Sequence, residues 1–79
     1  MSLPLHLDPE RLDEVCDAIA NTTQVWLARH RSDQRYEALQ SRRAQIGGML
    51  ELARRLSDHR LARFLEAHKD ALSRLIEAD

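Results

Sequence analysis

The residues of this 79-residue chain that could carry chemistry are few: one cysteine, four histidines, and a run of arginines and acids. Nucleophilic catalysis needs a nucleophile within reach of a base that a third group orients. Ser57-Asp58-His59 supplies those residue types, but consecutive positions cannot converge on one point, and Ser57-Asp58 reads instead as a helix cap. Cys16 sits among apolar residues at helical spacing, where a buried thiol is inert. Two histidines at i and i+4 would put two metal ligands on one helix face, yet His6, His30, His59 and His68 contain no such pair. A single cysteine cannot complete a thiolate zinc site. His68 falls on an apolar face and reads as a core histidine packed over Gly47. No glycine-rich phosphate loop occurs. The expectation is a chain that is not an enzyme, with no catalytic residue, no metal and no cofactor.

The arginines raise a different possibility. A solvent-facing row of Arg35, Arg42 and Arg54 would be suited to phosphate contacts. The overall charge is −1, however, and the distribution is uneven. Residues 1–28 hold one arginine against five acids, whereas residues 29–60 hold eight arginines against four acids. No helix-turn-helix glycine turn appears, and Trp26, Tyr36 and Phe64 all read as core or near-core positions. A small nucleic-acid-binding regulator is therefore the alternative reading.

Three helices must position these residues. Pro9 suits a first helical position because its missing N–H needs no partner there, and Asp8 before it is a favoured N-cap. Leu7 and Leu12 occupy the positions of a hydrophobic staple. Leu12, Val15, Cys16, Ile19 and Trp26 then follow helical spacing, so the first helix spans about 9–31. Ser32-Asp33 supplies the next cap, and a helix over 33–56 carries Tyr36, Leu39, Ile46, Leu50 and Ala53. Gly47 and Gly48 either break it or admit a close neighbour; the apolar spacing continues in phase across them, which favours a continuous helix. Ser57-Asp58 caps a third helix over 58–77, with Leu61, Phe64, Leu65, His68, Leu72, Leu75 and Ile76 on one face. The junction sequences 28–35 and 53–60 match at five of eight positions, which reads as shared cap chemistry rather than a repeat array.

The fold class is all-α, an up-down-up three-helix bundle in a single domain over 1–79, with 1–7 a short N-terminal arm that docks by default on its own bundle. The turns set the register. Trp26 should face Leu39, Ile19 should face Ile46, and Leu12 should lie near Ala53. Leu50 should meet Phe64 or Leu65, Gly47 should meet His68, and Leu39 should lie near Leu75 or Ile76. The same register sets the acidic start of the first helix beside Arg54, Arg55, Arg60 and Arg63. It also sets Thr22 and Thr23 opposite Arg43, an arginine at an expected apolar position. Either Arg43 lays its stem on the core and sends its head to solvent, which is the favoured reading, or a polar layer fixes register or oligomeric state.

A chain of this length buries only somewhat more than ~60% of its unfolded surface, so its core is marginal. The lone cysteine rules out an internal disulfide and fits a reducing, cytoplasmic compartment. No segment approaches the roughly 20 apolar residues of a membrane span. Met1 to Leu7 lacks the basic start of a signal peptide. Self-association or a protein partner remains as the natural staple. Val25, Leu27, Met49 and Leu52 lie off the main apolar stripes and are the candidate protein-binding patch of an adaptor, co-chaperone or inhibitor.

Leu27-Ala28-Arg29, Tyr36, Leu39-Gln40, Gly47-Gly48 and Leu50 are similar in kind and spacing to the small helical-hairpin co-chaperones of type III secretion needle subunits. The resemblance covers about 30 residues. It implies two antiparallel helices that pack against a repeat-helical chaperone and help keep a needle protein unpolymerised. The third helix has no counterpart in that two-helix family.

Overall fold

The computed structural model describes residues 9–78, which form three α-helices: α1 (Pro9–Ala28), α2 (Arg35–Arg55) and α3 (His59–Glu77). They make an all-α, up-down-up bundle, a rod of 48 × 19 × 18 Å. The Asp8 cap, the Leu7 staple and the 1–7 arm lie outside the described residues. Helix α2 runs unbroken through Gly47 and Gly48, as the phase of its apolar residues requires. Among the described residues, no helix is long and apolar enough to cross a membrane.

The core is the seam between α2 and α3. Leu39, Ile46, Leu50 and Ala53 of α2 interlock with Ala62, Leu65 and Leu72 of α3. Ile19 and Leu27 of α1 pack against this cluster, as do Leu61, Phe64 and Ile76. Helices α2 and α3 are in close contact along their length, whereas α1 touches both over much less of its own. Three expectations of the core change. Tyr36 and Leu75 stand exposed. Leu27, expected in an exposed patch, turns inward onto the core. A Cβ on Gly47 would meet the Lys69 side-chain end at 3.9 Å rather than His68.

The two similar junction sequences fold differently. At the second, Ser57 N–H donates to Arg54 O and Asp58 N–H donates to Ala53 O, with Ser57 at φ 57°. This is a Schellman closure with serine in the left-handed position that glycine normally fills. Asp58 then caps α3, its carboxylate accepting the Leu61 N–H at 3.2 Å. At the first junction Ser32–Gln34 wind into one 3₁₀ turn, and α2 starts at Arg35 without a side-chain cap. The expected Ser32-Asp33 cap is absent: both residues lie inside the 3₁₀ turn, so Gln34 is the residue that precedes α2, and Asp33 approaches Arg31 at 3.8 Å in solvent. His30 closes the end of α1 instead, donating Nδ1–H to Trp26 O at 2.6 Å.

Candidate functional site

The most distinctive arrangement lies where α1 meets the hairpin. Residues 21–24, Asn-Thr-Thr-Gln, interrupt the apolar stripe of α1. Thr22 and Thr23 each turn a hydroxyl back onto the carbonyl four residues earlier, at 2.6 and 3.0 Å. Thr22 stays exposed, but Thr23 is 3% exposed and faces inward. Opposite it, from α2, comes Arg42, also 3% exposed. Its Nε–H donates to Thr23 Oγ1 at 2.8 Å, its Nη2 to Ile19 O at 3.1 Å, and its Nη1 to Gln45 Oε1 at 2.9 Å. From α3, His68 Nε2 lies 2.8 Å from Thr23 Oγ1. Phe64 stacks on the His68 ring at 5.7 Å and 17°.

This three-helix polar layer revises two expectations. The arginine opposite the threonines is Arg42, not Arg43. Arg43 is half-buried and reaches Ser73 Oγ at 3.3 Å on the α3 side. Arg42 also leaves the arginine row. Of Arg35, Arg42 and Arg54, the first stays exposed, the second is interior, and Arg54 pairs with Glu66 of α3 at 3.2 Å. Arg54 was expected beside the acidic start of α1. The remaining pair is separated by most of α2.

Every partner of the Arg42 guanidinium is neutral: a hydroxyl, an amide oxygen and a backbone carbonyl. Removing such an ion from water costs several kcal/mol. Hydrogen bonds to a charged group return about 1.5–3 kcal/mol each, so three of them balance the loss roughly. Burial pushes the Arg42 guanidinium below its usual range, but arginine keeps its proton in proteins. His68 is pushed down too, first by burial and then by the Arg42 charge. A neutral ring fits the layer either way round. Nε2–H can donate to Thr23 while Thr23 donates to Ile19 O, or Thr23 can donate to a bare Nε2. No buried side-chain nitrogen or oxygen among the described residues lacks a partner.

The thiol of Cys16 is half-buried rather than interior. Burial raises its pKa, with Asp13, Asp17 and Asp58 adding to the effect and Arg60 opposing it. A shallow 230 Å³ depression beside the first turn is lined by His30, Gln34, Glu37, Ala38 and Ser41. No group of three His, Cys, Asp or Glu side chains among the described residues is placed to hold a metal ion.

The expected protein-binding residues separate. Met49 and Leu52 stand on α2 at 37% and 58% exposure, and Leu56, at 42%, extends them by another turn. These three fall at i, i+3 and i+7, one row on one helix face. Val25 is 48% exposed, but it sits in the last turns of α1. Its neighbour Trp26 donates Nε1–H to Ala38 O, eleven residues before Met49, or roughly 16 Å along α2. Leu56 is the C-cap of α2, where no following turn defines an apolar stripe, so periodicity alone does not single it out. Comparison with protein-family models, with curated proteins and with solved structures finds no match to this chain.

Proposed function

We propose that this chain is a non-catalytic protein–protein interaction module of the cytoplasm, an adaptor, co-chaperone or inhibitor that docks a partner on α2. The observation that carries the reading is the exposed Met49–Leu52–Leu56 row. Single exposed leucines are ordinary. Three large apolar side chains at i, i+3 and i+7 form the kind of stripe on which a partner helix seats its own anchors. A thin core, with α1 only lightly attached, adds a thermodynamic reason for a partner: whatever binds the folded state alone stabilises it. The likeness to hairpin co-chaperones supports the same class of activity. A second copy of the chain is one partner that this face would accept.

Displacement of Arg42 into the interior weakens the nucleic-acid alternative, because a phosphate-contacting row loses its middle member. The test is affinity capture from the source cells with wild type and with the Met49→Glu, Leu52→Glu double variant, each with nuclease and at high salt. A stoichiometric protein, or the chain itself, retained by the wild type and lost with the variant at unchanged helicity supports the reading. Nucleic acid recovered by both forms and released by salt overturns it.

A further inference from the structure

We propose that the Thr23–Arg42–His68 layer is a proton-sensitive latch that holds α1 on the α2–α3 hairpin and frees it on mild acidification. The proposal goes beyond the docking row and does not depend on what binds there.

All three helices contribute to the surroundings of His68. From α1 comes the Thr23 hydroxyl, and α1 carries no ionisable side chain between Asp17 and Arg29. From α2 comes the Arg42 guanidinium, with Arg43 beside it; no carboxylate occurs between Glu37 and Glu51. On α3 itself the next residue is Lys69, half-buried against Gly47. Glu66 is exposed and engaged with Arg54, and Asp70 is exposed two residues along, away from the inward face of His68. The surroundings of the ring are therefore cationic or neutral on all three helices. A proton added to His68 puts a second positive charge beside Arg42, bonded to the same hydroxyl oxygen, with no carboxylate to take it up. If the ring nitrogen accepts from Thr23 in the closed state, protonation also removes that acceptor.

Location turns this penalty into a movement. All three members sit at the junction between α1 and the hairpin, and α1 is the helix with the sparser packing. Detaching it gives His68 to water, where imidazole takes a proton near pH ~6.5. Opening therefore takes up a proton, and the open population grows as pH falls below that value. The hairpin core of Leu39, Ile46, Leu50, Leu65 and Leu72 does not depend on the latch, so α2 and α3 stay paired. Release withdraws Ile19 and Leu27 and bares the apolar seam they cover.

Amide hydrogen exchange on the whole chain, resolved by helix and corrected for intrinsic rates, tests this directly. From pH 7.5 to 5.5 the open fraction of α1 should rise by up to about ten-fold, the ratio set by an open-state pKa of ~6.5. Protection in α2 and α3 should change much less. His68→Gln, which keeps a hydrogen-bonding group but does not titrate, should remove the response. A change in α1 below two-fold, equal loss in all three helices, or a wild-type response in His68→Gln overturns the proposal. Should that variant fail to fold, nuclear magnetic resonance titration of the wild-type His68 ring decides. Titration clearly below that of free histidine supports the latch, and titration at or above it refutes it.

Discussion

Thr23→Val is the sharpest probe of the interior layer, because it removes one oxygen and little volume. That oxygen receives the Arg42 Nε–H and lies against His68 Nε2, both at 2.8 Å. Valine leaves a charged donor unsatisfied in a site only 3% exposed. A stranded neutral donor costs about 1–3 kcal/mol, and a charged one more. The half-buried His68 ring recovers part of its loss through water. The expected destabilisation is about 3 kcal/mol, which lowers Tm by roughly 12–24 °C for a chain of this size. In an Arg42→Met background only the histidine loses a partner, and the cost of Thr23→Val should fall to about 1 kcal/mol. The coupling of about 2 kcal/mol is measured by a double-mutant cycle from urea unfolding followed by circular dichroism. Arg42→Met alone should be neutral or stabilising, since a matching apolar side chain avoids the desolvation of the ion. Equal costs of Thr23→Val in both backgrounds, or a single cost below ~1 kcal/mol, would refute the view that Thr23 serves the guanidinium.

Three further outcomes follow from the backbone and the thiol. Gly48→Ala should raise stability by about 1 kcal/mol in the same urea assay, because its Cβ would meet nothing within 4 Å and α2 is helical there. Ser57→Gly should also stabilise, by a few tenths to about 1 kcal/mol, by relieving the left-handed φ of 57° while keeping the Schellman bonds. Cys16 should alkylate more slowly than a free thiol at pH 8, since burial and the three nearby aspartates hold its pKa up; the rate with iodoacetamide checks this.

Helix number, direction and phase were legible because they rest on repeated signals. Pro9, the Asp58 cap and the in-phase Leu39, Ile46, Leu50 and Ala53 each point to the same bundle. The register of the first hairpin was legible too. Trp26 meets Ala38, one residue from the expected Leu39, and Arg42 reaches Ile19, close to the expected Ile19–Ile46 level. What sequence could not decide was which of two adjacent arginines turns inward. Between Leu39 and Ile46 the inward position is either i+3 or i+4, both allowed on one helix face. Arg42 and Arg43 differ by about 100° around the axis, and nothing in composition separates them. The choice is made by the third helix. Arg43 finds Ser73 of α3, while Arg42 finds Thr23 of α1. The inward turn of Leu27 was hidden as well: it lies beside the main stripe of α1 and is covered by the core that α2 and α3 form together.

That single rotation changes how the charge asymmetry is read. Of the eight arginines in residues 29–60, four are drawn into local contacts, while Arg29, Arg35, Arg55 and Arg60 stay exposed. Arg42 is inside, Arg43 bonds Ser73, Arg54 pairs with Glu66, and Arg31 approaches Asp33. The exposed pairs contribute little stability, at most about 1 kcal/mol each. Their effect is to divide the positive charge among separate local partners. Arg42 differs because its partners span all three helices through Thr23, so its charge bears on how α1 sits rather than on what the surface attracts. An apolar residue at that position would hold α1 at least as firmly. It would also remove the second of the two causes, after burial, that make a protonated His68 costly. Burial of the ring remains in that variant, so Arg42→Met should shrink, without abolishing, the rise in α1 exchange between pH 7.5 and 5.5. A rise as large as the wild type's in that variant would leave the arginine without a role in the response.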